Sequence, residues 1–230
     1  MNRFFLFLSV TCTLVACTGE GGGEPSAAST GIELHRGNGA DPGTMDPHLA
    51  EDDSATEVLR DLYEGLIGES VNSELEPAGA VSWQISDDGL EYVFQLQPEA
   101  RWSNSDPVVA EDYVAGLRRT VDPSTASVYA QLLSPIVNAT AITAGELPPE
   151  TLGVEALDPH TLKITLASLT PYFLGLLTLS QTYPIHRPSL VEHGDQFTRP
   201  GNHVTNGPYK LEDFIAQAHI KLVKNEHYWN

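Results

Sequence analysis

The chain has 230 residues, 41% of them hydrophobic, enough for one or two buried cores. A formal net charge of −19 opposes a polyphosphate backbone and so disfavours nucleic-acid binding; the same sign favours solubility and suits cationic ligands. Both cysteines, Cys12 and Cys17, lie near the N-terminus, leaving no downstream thiol for a disulfide or a thiolate metal site.

Arg3 and the apolar runs 4–8 and 10–16 have the n-region and h-region pattern of a secretory signal over residues 1–16. Leu14-Val15-Ala16-Cys17 looks like a bacterial lipobox, in which cleavage before Cys17 frees its thiol for diacylglyceryl attachment. A plain signal peptide and a transmembrane helix are the alternatives, and the run falls short of the ~20 apolar residues that a spanning helix needs. Residues 17–30 are rich in Gly, Ser, Ala and Glu without periodicity, and are predicted to be a flexible tether. A lipid anchor of several acyl chains would hold such a chain stably on a membrane, each buried CH₂ adding ~0.8 kcal/mol. The expected location is extracytoplasmic, as a membrane-anchored lipoprotein, and the periplasmic space in a Gram-negative cell.

Further along, residues 54–63 read as a helix, with Ser54 a candidate cap preceded by Glu51, Asp52 and Asp53. Asp87-Asp88-Gly89 is a turn signal, since Gly accepts φ > 0 and Asp bonds its own backbone. Tyr92, Phe94 and Leu96 alternate with Val93, Gln95 and Gln97, the period of a half-buried strand that Pro98 ends. A second turn, 102–107, leads into a helix that places Tyr113, Leu117 and Val121 on one face and Glu111 and Asp112 in its first turn. Asn206-Gly207-Pro208-Tyr209 is a turn in which Gly supplies backbone freedom and Tyr209 begins a strand.

The block 83–114, WQISDDGLEYVFQLQPEARWSNSDPVVAEDYV, resembles the signature of the solute-binding proteins that feed oligopeptide ABC importers (family 5). Six further stretches follow the order of that family: 45–66, 122–133 (DPSTASVYAQLL), 147–166, 170–177 (TPYFLGLL), 197–211 and 222–230 (LVKNEHYWN). Each is weak alone, and together they are specific. The resemblance implies an α/β fold of the periplasmic-binding-protein type II kind. On it, residues 31–63 and 187–230 are a discontinuous lobe I, 64–186 an inserted domain, and the second lobe is absent. The family is considerably longer, so a fragment, a truncated gene and a working short form are the three readings of this length.

By the same resemblance the chain following Asp46-Pro47-His48 lies at the ligand cleft, which puts Glu51, Asp52 and Asp53 opposite a bound peptide. Tyr129 corresponds to a cleft aromatic that would stack on the ligand. The alternatives are a solvated loop or a helix cap for the three acids, and an ordinary helix-start residue for Tyr129. Ser105 stands where the family has a turn Gly, and Val109 where it has a capping Thr. The implied partners are oligopeptides, the permease subunits of an ABC importer, and a membrane through the lipid on Cys17. Main-chain pairing of an extended peptide would hold many sequences alike. The second reading is a membrane-anchored interaction or signalling module without transport.

Little points to an enzyme. The eight His are scattered without H-E-x-x-H spacing, no G-x-S-x-G elbow occurs, and Gly37-Asn38-Gly39 lacks a following Lys to cradle phosphate. Glu192-His193 reads as a solvated pair. No cofactor and no metal are expected.

Overall fold

The computed structural model describes residues 33–230; the predicted signal, Cys17 and tether lie outside them. Residues 33–37 are irregular and exposed, and Asn38–Asn230 form a single unit. That unit is mixed α/β, with each of its sheets antiparallel. After helix α1 (Asp53–Leu62) come the short strands β1 (Ile67–Glu69) and β2 (Leu75–Pro77), which pair with each other. Strands β3 (Ala80–Ile85), β4 (Glu91–Leu96), β5 (Val154–Asp158) and β6 (Thr161–Thr165) form a four-stranded sheet in the order β3-β4-β6-β5. The long excursion between β4 and β5 contains α2 (Ala110–Val121) and α3 (Ala139–Thr143). Helices α4 (Phe173–Leu176) and α5 (Arg187–His193) then lead to the hairpin β7 (Tyr209–Ile215) and β8 (His219–Lys224).

The predicted alternation in β4 is present: Tyr92, Phe94 and Leu96 are buried. In register opposite them on β6, Ile164 and Leu162 face the same side, so one sheet face is apolar and the other is wet. Helix α2 covers the β5–β6 end of that face, with Tyr113, Val114, Leu117 and Val121 fully buried. Phe173 of α4 meets the Tyr92 ring edge-on, with 5.0 Å between centroids. Gly116 lets α2 approach closely, because a methyl there would overlap the Tyr183 carbonyl.

Helix α1 starts one residue earlier than predicted. Its cap is Asp52, whose Oδ1 accepts from the Ala55 N–H at 2.8 Å, so Ser54 already lies inside the helix. A carboxylate at this position is as good a cap as a hydroxyl and also suits the positive helix end. Asp53 is thus a first-turn helical residue rather than part of an extended strand.

Two departures from the family pattern have visible consequences. Ser105 has φ 77, the left-handed conformation that a Gly would take without strain. Val109 is the N-cap of α2 and offers no side-chain acceptor. The Asp112 carboxylate supplies the other half of the capping box by accepting from the Val109 N–H at 3.1 Å. Asp112 Oδ2 also accepts from the Trp102 indole N–H at 3.1 Å, and Oδ1 from Arg187 at 3.2 Å. Restoring the missing hydroxyl with Val109→Thr is expected to add about 1 kcal/mol of stability. In a thermal melt that is a rise of roughly 2–4 °C.

Gly207 corrects another expectation. Its φ is not among the positive ones, and what demands glycine is contact: a Cβ would sit 2.6 Å from the Leu62 carbonyl carbon. The turn therefore docks flat on the end of α1, with the Gly207 N–H donating to Leu62 O at 2.9 Å. Next to it the Asn206 side chain pairs with both backbone groups of Glu64, accepting from its N–H at 3.1 Å and donating to its carbonyl at 2.9 Å. Tyr228 and Trp229 donate to the two Glu64 carboxylate oxygens at 2.8 and 2.6 Å. Burial lifts the Glu64 carboxyl above its usual range, against the lowering effect of those two donors. These contacts tie the 206–229 stretch to the residues just after α1, across more than 140 positions of sequence.

Candidate functional site

Residues 46–52 form an irregular segment whose even-numbered members are anchored to the body of the fold. Arg119, on α2, donates to Asp46 from both terminal nitrogens at 2.8 and 2.6 Å, a bidentate clamp. Burial pushes the Asp46 carboxyl up, but the Arg119 hydrogen bonds, aided by the neighbouring charges, outweigh it and hold it below its usual value. The same Arg119 nitrogen lies 2.9 Å from His48 Nδ1, and His48 Nε2 lies 3.0 Å from the Tyr183 carbonyl. Those partners assign the tautomer: Nδ1 accepts and Nε2 carries the proton. The imidazole is neutral, its pKa pushed down to about 4 by complete burial and by Arg119, against the pull of Asp46.

The anchoring continues along the segment. The Ser127 hydroxyl donates to the His48 carbonyl at 2.7 Å, and the Gln181 amide donates to the Ala50 carbonyl at 2.9 Å. Asp52 caps α1 with one oxygen and accepts from the Gly43 N–H with the other at 3.1 Å. Behind Arg119, the Phe197 ring lies 5.4 Å from the guanidinium carbon and packs edge-on against His203. Tyr63 is hydrogen-bonded to His203 Nε2 at 2.9 Å. Burial raises the Tyr63 phenol well above its usual range, so it keeps its proton and donates it. Burial also pushes His203 down to about 4, leaving its Nδ1 buried without a partner among the described residues.

With the even-numbered residues held inward, Leu49 and Glu51 are left facing out. They line a shallow hollow of about 240 Å³ together with Gly43, Thr44 and Asp52. Of the predicted site residues, the structure thus brings Glu51 and Asp52 together; Asp53 is exposed on the first turn of α1 and Tyr129 is half-buried at the start of the 3-10 turn Ala130–Leu133. Neither Asp53 nor Tyr129 lines the hollow. Tyr129 is nevertheless linked to the segment, since Ser127 two positions before it holds the His48 carbonyl. Sequence reasoning missed Arg119, Ser127 and Gln181. Arg119 carried one signal, a charge in the last turn of a helix, shared with its neighbour Arg118; Gln181 carried none.

One further constellation has the elements of a nucleophilic triad. His186 Nδ1 lies 2.8 Å from Ser189 Oγ, and Nε2 lies 3.0 Å from Asp106. It is a helix cap: Nδ1 also accepts from the Ser189 N–H at 3.2 Å, Ser189 is buried, and the imidazole packs edge-on against Trp102. Among the described residues no group of three or more His, Cys, Asp or Glu could hold a metal, and no helix is long and apolar enough to cross a membrane.

Comparison with known proteins agrees with this architecture. Residues 74–230 match the model of the bacterial extracellular solute-binding proteins, family 5 middle. The chain is 39% identical over 199 residues to the periplasmic oligopeptide-binding protein OppA of Escherichia coli, covering 86% of this chain and 36% of that protein. It is 38% identical over 193 residues to the probable deoxycholate-binding periplasmic protein YgiS of the same organism, covering 83% of this chain and 36% of YgiS. Among solved structures, Haemophilus influenzae OppA in complex with the peptide RPPGFSPFR superposes with a TM-score of 0.82 at 38% identity, covering 84% of this chain and 38% of that one. The chain thus spans little more than a third of the length of the relatives it matches. On the match of residues 74–230 and on the shared fold, the chain belongs to the bacterial extracellular solute-binding proteins of family 5.

Proposed function

We propose that this chain furnishes one wall of an oligopeptide-binding cleft in an extracytoplasmic receptor serving an ABC importer. The observation that carries the reading is the outward face at Leu49 and Glu51, where the even-numbered neighbours are anchored inward and the Glu51 backbone has no partner among the described residues. An extended peptide pairs with such a backbone through main-chain hydrogen bonds, which accept many sequences because side chains take little part. Glu51 and Asp53 add negative charge suited to a peptide ammonium, Tyr129 offers a ring to stack on, and Asp52 shapes the wall as the cap of α1. Residues 31–63 and 187–230 are read as lobe I and 64–186 as the inserted domain. The opposite wall belongs to the further length that the relatives possess. Closure of the two lobes on the ligand, stabilised by contacts made only in the shut state, precedes docking on the permease. Cys17 is read as the lipid attachment that tethers the receptor outside the cytoplasm, with 18–30 as the tether.

Specific sites bury ~70–90% of a small ligand, and one wall cannot. For the 230-residue chain, trialanine is therefore expected to bind near ~1 mM, about 4 kcal/mol, with amide shifts centred on residues 49–53 and 127–129. Micromolar affinity in a calorimetric titration would refute the single-wall account. YgiS makes deoxycholate the necessary second ligand. Shifts at the same amides with deoxycholate, and none with trialanine, would replace the peptide reading with a steroid one.

A further inference from the structure

We infer that Gln181 is a positioning residue that aims the Glu51 N–H of the wall at a ligand carbonyl; this rests on the peptide-cleft reading above. In a trans peptide the C=O and the following N–H point in opposite directions, and no cis peptide bond is present among the described residues. Holding the Ala50 carbonyl inward therefore turns the Glu51 N–H outward, toward the hollow that Glu51 lines. The Gln181 amide does this at 2.9 Å, from 131 residues away in sequence.

The support behind Gln181 is itself fixed. It lies in the 3-10 turn Ser180–Thr182, and its own carbonyl accepts from the Thr120 hydroxyl of α2 at 2.7 Å. Thr182 closes the turn by donating to the Leu177 and Leu179 carbonyls at 3.1 and 2.8 Å. Gln181 is 6% exposed and Ala50 1%, so water does not compete for this bond. A relay thus runs from α2 through the turn to Ala50, and ends at a donor in solvent. The Leu49 N–H is already spent on the Asp46 carbonyl at 3.1 Å, whereas the Glu51 N–H has no partner among the described residues. A second-layer amide that holds a backbone donor in place lowers the ordering cost of ligand binding.

The test is Gln181→Met, which keeps the length of the side chain and deletes the donor, in the 230-residue chain. By ¹⁵N relaxation the Glu51 amide is expected to have an order parameter near ~0.85 in the parent and below ~0.6 in the variant, with β4 and β6 unchanged. On titration with trialanine the variant is expected to bind about tenfold more weakly. An equally rigid Glu51 amide in both proteins overturns the proposal, as does loss of order throughout the sheet. Should Gln181→Met not fold, Thr120→Val is the second variant. It loosens the turn while leaving the Gln181 side chain, and is expected to lower the Glu51 order parameter less; no change there overturns the proposal. If trialanine moves nothing in the parent while Gln181→Met still releases the Glu51 amide, positioning stands and the peptide reading falls.

Discussion

Arg119→Met is expected to destabilise the fold by about 3–5 kcal/mol, because it leaves a buried carboxylate without its partner. Asp46 is 8% and Arg119 17% exposed by side chain, and they meet at 2.6 Å. The guanidinium also serves His48 Nδ1 and faces the Phe197 ring, so one substitution empties three contacts on two separate stretches of chain. Methionine fills the volume, and the loss is therefore electrostatic rather than a cavity effect. Two controls separate these causes. Adding Asp46→Asn to Arg119→Met should recover part of the loss, since the stranded charge is removed. In acid the difference between parent and Arg119→Met should narrow, since Asp46 without Arg119 protonates readily under burial. Urea unfolding midpoints measure both; equal destabilisation at pH 7 and pH 4, unrelieved by Asp46→Asn, would contradict the ion-pair account.

Acid should unfold this protein before most carboxylates titrate. His48 and His203 are both depressed from 6.5 to about 4 in the fold by burial. A group depressed in the folded state binds its proton first in the unfolded state. Its stabilising contribution is therefore complete above the unfolded value of 6.5 and drains away as pH falls toward 4. Each imidazole accounts for about 3 kcal/mol over that window, and the pair rivals the ~5–15 kcal/mol of a whole domain. Asp46, depressed as well, adds to the loss at still lower pH, while Glu64, raised, works in the opposite direction. Stability measured by urea at several pH values should fall with a slope approaching two protons between pH 6.5 and 4. His203→Gln preserves an acceptor for the Tyr63 hydroxyl and should cut that slope by about half. A slope that neither His203→Gln nor His48→Gln changes would show that these rings are not the acid-sensitive groups.

Much of the architecture was legible before any coordinates. The alternation at Tyr92, Phe94 and Leu96 and the helical spacing of Tyr113, Leu117 and Val121 are local periodicities, and tertiary packing had only to agree with them. Ser105 shows the same kind of legibility, since a turn that wants Gly forces φ > 0 on whatever replaces it. The start of α1 at Asp53 was within one residue of the predicted one, inside the usual range by which helix ends differ.

The site was less legible. Periodicity marked the principal strand and helix, and the order of motifs, as a resemblance, pointed to the family and its mixed α/β class; that residues 51–53 face a ligand was an expectation of the same resemblance. The tertiary structure alone decided how that stretch is held: Asp46 and His48 by Arg119, Ala50 by Gln181, and Glu64 by Asn206, Tyr228 and Trp229. It also decided that Gly207 is there for close contact rather than for an unusual φ. The physical reason is common to all of them. Repeating apolar positions print their burial into neighbouring residues, whereas a single polar pair closing a loop of 70 to 165 residues leaves no period behind, and is found only where the fold brings its two ends together.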